Sequence, residues 1–422
     1  MGKELNKQDV SNSRKYNAKR KDRNRAVLKT GESQRADGRY VYRWTDRKGK
    51  RNTVYAKTLK QLRDKEADIQ RDILDGIRTM ENCTVNDMFE LWCRIKRGLK
   101  DNTFQNYKYM YNTYIRDDIG RLPISRVKKS KVKEFYNKLV DADLLRVNTL
   151  DTLQNILHQV MDIAVDDGYL RFNPTDKALT ELKRANNSDK KRRKALTKEE
   201  QDVFLEYVKN HKVYAHWYPL FAFMIGTGMR IGEVVGLRWC DVDMKNDLID
   251  VNHTLVYYDH GEGHCAYEVN TTKTEAGERT IPMLKMVREA LAEERKNQMK
   301  NGIRCQASIA GYTDFIFLNR FGNLLNNGII NKAICRIVRD YNEEQLNKEE
   351  EEQGILLPRF SCHTLRHTFT TRMIEAGVNV KVVQETLGHT DVSTTLNIYA
   401  DATDEFKKQE FKNLDQHFQN AI

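Results

Sequence analysis

Leu387-Gly388-His389-Thr390-Asp391-Val392-Ser393-Thr394-Thr395-Leu396-Asn397-Ile398-Tyr399 is the stretch on which the reading of this chain turns. It supplies an imidazole and, ten residues later, a tyrosine at the end of a helical segment. Just upstream lies His363-Thr364-Leu365-Arg366-His367-Thr368-Phe369. On a helix, positions 363 and 366 share a face, so one imidazole and one guanidinium can point at a single oxyanion. Further upstream, Gly226-Thr227-Gly228-Met229-Arg230-Ile231-Gly232-Glu233 surrounds an arginine with glycines. Such glycines let backbone approach closely at a turn, and an arginine at a helix start presents its planar fork to a phosphate.

Each segment alone is a weak signal, because a His and an Arg three apart more often decorate a surface. Together, two arginines, two histidines and a downstream tyrosine resemble the tyrosine recombinase and phage integrase family. Box I carries Arg230; box II carries His363, Arg366, His389 and Tyr399, in the family's order and with flanks that also fit. The resemblance implies that Lys273, in the Thr272-Lys273-Thr274 run before Arg279-Thr280-Ile281-Pro282, is the catalytic lysine of a mobile β-hairpin and the general acid for the departing 5′ oxygen. Tyr399 would then be the nucleophile that forms a 3′-phosphotyrosyl bond.

The chemistry agrees with that set. A pentacoordinate phosphorane carries added negative charge and needs fixed cationic donors, which Arg230 and Arg366 would supply. His363 and His389 would add hydrogen bonds or assist proton transfer. Glu233, one helical turn after Arg230, would hold that arginine by an ion pair. His367 reads as packing or support. The ten histidines include no HExxH and no carboxylate cluster, so no metal is expected; the phosphotyrosyl bond implied by the resemblance stores the phosphodiester energy, so no ATP or other cofactor is expected either.

Charge points to the same partner. The chain carries a formal +12, but residues 1–60 hold 19 of the 72 Lys and Arg and only 6 of the 60 Asp and Glu. The excess is therefore N-terminal, the electrostatic footprint of a polyanion partner. An anionic membrane would want a strongly apolar helical face beside that charge, which residues 1–36 lack. No run of about eighteen apolar residues occurs and the N-terminus has no signal-like apolar stretch, so a cytoplasmic, nucleoid-associated protein is expected. The seven cysteines form no CxxC pair and read as reduced thiols, with Cys240, Cys335 and Cys362 expected in cores.

A chain of 422 residues is expected to hold several cores. Residues 1–36 read as a basic flexible arm. Residues 37–80 read as a small α+β domain: a basic hairpin of Arg39–Trp44 and Asn52–Ala56, followed by a helix over 59–77. Its expected DNA-binding residues are Arg39, Arg43, Arg47, Lys48, Lys50 and Arg51. Residues 83–182 read as an all-α domain, with Thr84 and Asp87 opening one helix and Ser130 capping another. The run 183–194 reads as a linker. Thr197 with Glu200 then opens a mixed α+β domain over 195–404, with strands near Leu248–Val256, Tyr267–Thr271 and Arg279–Pro282 and an acidic surface loop at Glu343–Glu352. The tail 405–422 carries Phe406, Phe411, Leu414 and Phe418 and is expected to dock on a neighbouring protomer.

By resemblance, the three folded parts correspond to the arm-binding, core-binding and catalytic domains of conjugative-transposon integrases. The implied activity is integration and excision of a mobile DNA element by a homo-tetramer on double-stranded DNA through Holliday-junction strand exchange, with an excisionase and DNA-bending proteins as accessory partners. The alternatives are a non-catalytic DNA-binding regulator on the same scaffold and a type IB topoisomerase-like enzyme.

Overall fold

The computed structural model describes residues 20–45, 49–74, 83–186, 195–261, 263–271, 277–393, 395–396 and 411–412. The chain divides into two units, residues 1–190 and 191–422.

The first unit begins with an antiparallel sheet of β1 (Glu32–Gln34), β2 (Tyr40–Thr45) and β3 (Arg51–Ala56), in that order. Alternation along β2 sends Tyr40, Tyr42 and Trp44 to one face, where they meet Val54, Ala56 and Leu62 of helix α1 (Leu59–Leu74). Tyr42 and Trp44 stack with ring centroids 5.5 Å apart. Strand β1 corrects the expectation of a flexible arm over 1–36, because residues 20–36 are folded onto this sheet. They are anchored by polar groups. Glu32 is fully buried, accepts the Lys29 amide at 2.7 Å and pairs with Arg63 Nε at 3.1 Å. Gly31 makes the entry turn at φ +89°, where a Cβ would stand 2.6 Å from the Arg43 carbonyl. Composition registers the lack of apolar residues here, and the carboxylate network replaces them.

Five helices follow: α2 (Val85–Ile95), α3 (Asp101–Met110), α4 (Lys129–Asp141), α5 (Val147–Asp166) and α6 (Thr180–Ala185). The Thr84–Asp87 capping box opens α2. The aromatic stripes are core: Phe89 lies flat on Tyr111 at 3.5 Å between centroids, and Trp92, Leu153, Leu157 and Val160 pack around them. Ser130 does not cap α4. Its helix starts one residue earlier with Lys128 as N-cap, leaving the serine inside the first turn, past the position where a hydroxyl serves the free amides.

In the second unit the Thr197–Glu200 capping box opens α7 (Lys198–Asn210), followed by α8 (Tyr218–Thr227) and α9 (Ile231–Gly236). Helix α8 is buried from Pro219 through Thr227 with no polar face, as befits the central helix of a core. Five strands come next: β4 (Val242–Asp243), β5 (Leu248–Val251), β6 (His253–Asp259), β7 (Cys265–Thr271) and β8 (Arg279–Pro282). The single strand expected over 248–256 is two, parted at Asn252, because β5 joins the sheet β4-β5-β8 while β6 pairs with β7. Helices α10 (Lys285–Asn301), α11 (Asn327–Leu346), α12 (Cys362–Glu375) and α13 (Val380–Leu387) complete the described part.

The acidic segment expected as a surface loop is in its first part the last turn of α11, held inward by buried Gln345, whose side chain accepts the Gly354 amide at 3.1 Å. Cys362 is buried as expected, but Cys240 and Cys335 are exposed, each on an outward turn of its element. Among the described residues, no helix is long and apolar enough to cross a membrane. Of the tail only 411–412 is described, so its docking lies outside the described residues.

Candidate active site and nucleic-acid interface

The site is built where α8, α12 and α13 end or begin. Helix α8 stops at Gly228, left-handed at φ +60°, where a Cβ would stand 2.2 Å from the Phe369 ring. Only glycine fits, and the chain then turns so that Arg230 becomes the N-cap of α9. The Glu233 carboxylate accepts the Arg230 backbone amide and its Nη1, both at 2.9 Å. Helix α13 stops at Gly388, again left-handed, and leaves its last carbonyls without partners inside the helix.

Three arginines satisfy those carbonyls in succession. Arg279 Nε donates to Thr386 at 2.6 Å, Arg366 Nη2 to Leu387 at 2.8 Å, and Arg230 Nη2 to Gly388 at 2.8 Å. The negative end of a helix favours cations, which is how three guanidiniums tolerate one another at this point. Arg366 is buried and its Nη1 donates to the Gly228 carbonyl at 2.8 Å. Burial, with Arg230 alongside, brings its pKa down to about 9, so it stays charged at neutral pH. Burial pushes the Glu233 carboxyl up, but hydrogen bonds and charge from Arg279 together with Arg230 outweigh this and hold it below the usual carboxylate range.

His389 follows directly. Arg366 Nη2 lies 2.9 Å from its Nε2, and its Nδ1 is 3.0 Å from Thr395 Oγ1. A guanidinium only donates, so Nε2 accepts, and the proton sits on Nδ1, which donates to Thr395. Burial and then the charges of Arg366 and Arg230 lower the His389 pKa to about 4, making the ring neutral at pH 7. As an acceptor from Arg366, it donates to a phosphate only after that contact opens. His363 stands exposed at the start of α12, edge-on to His367 with centroids 4.8 Å apart.

A cavity of about 270 Å³ is lined by Arg230, His363, Arg366, Asn327, Asn331 and Ser361 among others, so polar donors converge on one space. The structure thus brings together Arg230, Glu233, His363, Arg366 and His389. Lys273 and Tyr399 lie outside the described residues. Sequence reasoning missed Arg279, although its segment was singled out, because nothing local reveals a contact reaching 107 residues along the chain. It also missed Thr395 and the asparagines at 327 and 331, whose spacing of four on α11 was the available signal.

In the N-terminal sheet, register puts Arg43 opposite Thr53, Thr45 opposite Arg51 and Val41 opposite Tyr55. These residues share the face away from α1, where Arg43, Arg51 and Tyr55 are exposed. Arg35, unnoticed in the sequence, lies over the Tyr55 ring at 5.7 Å. Arg39 is paired with Asp37 at 2.9 Å, Lys50 is exposed just before β3, and Arg47 and Lys48 lie outside the described residues.

The model for the phage integrase family matches residues 194–405, that for the DNA-binding domain of Tn916 integrase residues 16–73, and that for the phage integrase N-terminal SAM-like domain residues 84–140. The chain is 32% identical over 421 residues to the transposase from transposon Tn916 of Enterococcus faecalis, covering 95% of this chain and 98% of that protein. It is 27% identical over 400 residues to a XerC-like tyrosine recombinase of Caldanaerobacter subterraneus, covering 90% and 97%. Among solved structures, the Tn1549 transposon integrase in complex with a circular intermediate DNA superposes with a TM-score of 0.67 at 30% identity, over 78% of this chain and 99% of that one.

Proposed function

This chain belongs to the phage integrase family of tyrosine recombinases, and from that premise we propose that it integrates and excises a mobile DNA element by cutting and rejoining double-stranded DNA without metal or ATP. The observation that carries the reading is the convergence of Arg230 and Arg366 on one cavity, with His363 at its rim and His389 bonded to Arg366. Three arginines against Glu233 leave this region net positive, a place where a phosphate is held and a metal ion repelled.

Arg230 and Arg366 clamp the nonbridging oxygens of the scissile phosphate. Tyr399 gives up its phenolic proton to the His363 imidazole and attacks phosphorus, the O–P bond to the 5′ oxygen breaks, and the phosphodiester energy is kept in a 3′-phosphotyrosyl bond. Lys273 protonates the departing 5′ oxygen. The 5′ hydroxyl of a partner strand then attacks the phosphotyrosine, releasing Tyr399 and closing the new strand. The exposed face bearing Arg43, Arg51 and Tyr55 holds a second, arm-type duplex, residues 83–182 hold core DNA, and a homo-tetramer with excisionase and DNA-bending partners exchanges strands in the cytoplasm.

A suicide substrate tests the reading: nicked DNA carrying the element's end is incubated with protein and resolved in SDS. An adduct that forms with wild type and disappears in Tyr399→Phe is the expected result. A bound cognate site with no adduct would favour a non-catalytic regulator, and cleavage with relaxation but no joining of two duplexes would favour a type IB topoisomerase.

A further inference from the structure

Arg279 is the arginine of this centre that the strand-transfer chemistry leaves without a task. It starts β8, and its side chain is only 7% exposed, against 41% for Arg230. Its Nη2 reaches Glu233 Oε2 at 2.8 Å and its Nη1 reaches Oε1 at 3.3 Å, while Nε holds the Thr386 carbonyl. Glu233 therefore faces two cations. One is buried and fixed, and the other is half-exposed at the mouth of the cavity.

The charge balance gives this arrangement a purpose. Glu233 is buried, so it needs a full counter-charge wherever Arg230 points. Were Arg230 its only partner, the pair would be neutral, and any turn of Arg230 toward a phosphate would leave a buried carboxylate uncompensated. With Arg279 in place the carboxylate stays satisfied, and the charge of Arg230 remains free for the phosphate. The same guanidinium ties β8 to the carbonyl two residues before Gly388, which itself holds Arg230.

Resting on the recombinase reading above, we propose that Arg279 is a positioning residue for strand cleavage: it neutralises Glu233 and fixes the end of α13 so that Arg230 serves the scissile phosphate. It touches no substrate.

The test uses full-length protein on the nicked substrate at saturating concentration, with DNA affinity and thermal melting measured in parallel. R279Q is expected to lower the single-turnover cleavage rate by about 10–100-fold, the range for partners that orient a reacting group, with DNA affinity nearly unchanged. R279K, which keeps a cation but loses the fork, falls between R279Q and wild type. Adding E233Q to R279Q costs less than the two single losses combined, because the carboxylate that needed compensation is gone. A purely structural role would instead lower melting and binding together and give additive losses. R279K carries the test if R279Q melts below the assay temperature, since its rate must fall while binding holds. R279K at the wild-type rate, or strict additivity with E233Q, overturns the proposal. Failure of the wild type itself to form an adduct removes the recombinase reading and this inference with it.

Discussion

His389 gives the catalytic unit a pH dependence whose sign follows from its partners. Its pKa is about 4 in the folded chain against an ordinary 6.5, so between those values the unfolded chain binds more protons than the folded one. Stability is full above pH 6.5 and is lost as pH falls toward 4, by on the order of 2 kcal/mol from this residue once the solvent screening of a half-buried ring is allowed for. Glu233, depressed below 4.5, adds its loss only at lower pH. His216 and His253 are also lowered, mainly by burial, and contribute in the same direction as His389. Substituting His389→Gln keeps an acceptor for Arg366 and removes the titration. Denaturant midpoints at pH 7.0, 5.5 and 4.5 should therefore fall less steeply in this variant than in wild type. Parallel curves would mean that protonating His389 carries no penalty in the fold. The residue types of this centre were legible in the sequence because the chemistry demands them. Their partners were not, since Arg230 meets Gly388 across 158 positions and Arg366 meets Gly228 across 138.

At the level of elements, β1 shows how polar burial makes structure that hydrophobic patterning does not announce. Glu32 and Arg63 join β1 to α1 across 31 residues, and Arg63 Nη2 also donates to the Val27 carbonyl at 2.7 Å. Deleting residues 1–36 removes the strand and Glu32 and leaves Arg63 without its carboxylate. The expected outcome is loss of arm-type DNA binding in a gel-shift assay, with adduct formation on core-type nicked DNA retained. Unchanged arm-type binding would make β1 dispensable. The elements that the sequence did announce share one property, a local cause. The capping boxes at Thr84 and Thr197 act within four residues, and the buried stripes of α2 and α5 repeat at helical spacing. Where the cause is distant, as in the split of β5 from β6 at Asn252, the pattern is continuous and the structure is not, because β5 finds its partner in β8 only after the β6–β7 hairpin intervenes.

Over the whole molecule, positive charge is used in two ways. Three arginines are concentrated at one helix end, Arg279 and Arg366 buried and Arg230 half-exposed, and in the proposed reaction Arg230 and Arg366 hold a single phosphate. The net surplus lies in the first 60 residues, where the exposed Arg43 and Arg51 are proposed to supply affinity by displacing counterions. The spread charge was visible in composition; the concentrated charge was hidden in a segment that is nearly neutral overall. The two uses make different demands on salt. Binding that rests on exposed phosphate contacts weakens steeply as ions compete, by a log–log slope of about 0.9 for each contact. Arg43 and Arg51 stand on the exposed sheet face, so the double variant R43Q/R51Q should flatten the salt dependence of arm-type DNA binding by about 1.8. Single-turnover cleavage of a core-type substrate at saturating protein should be unaffected, since neither residue belongs to the centre around Arg366. Titrations from 50 to 300 mM salt measure the slope directly. A slope equal to wild type would place the duplex on some other surface of the N-terminal unit, and a fall in core cleavage would mean that the sheet serves the reacting strand rather than a second site.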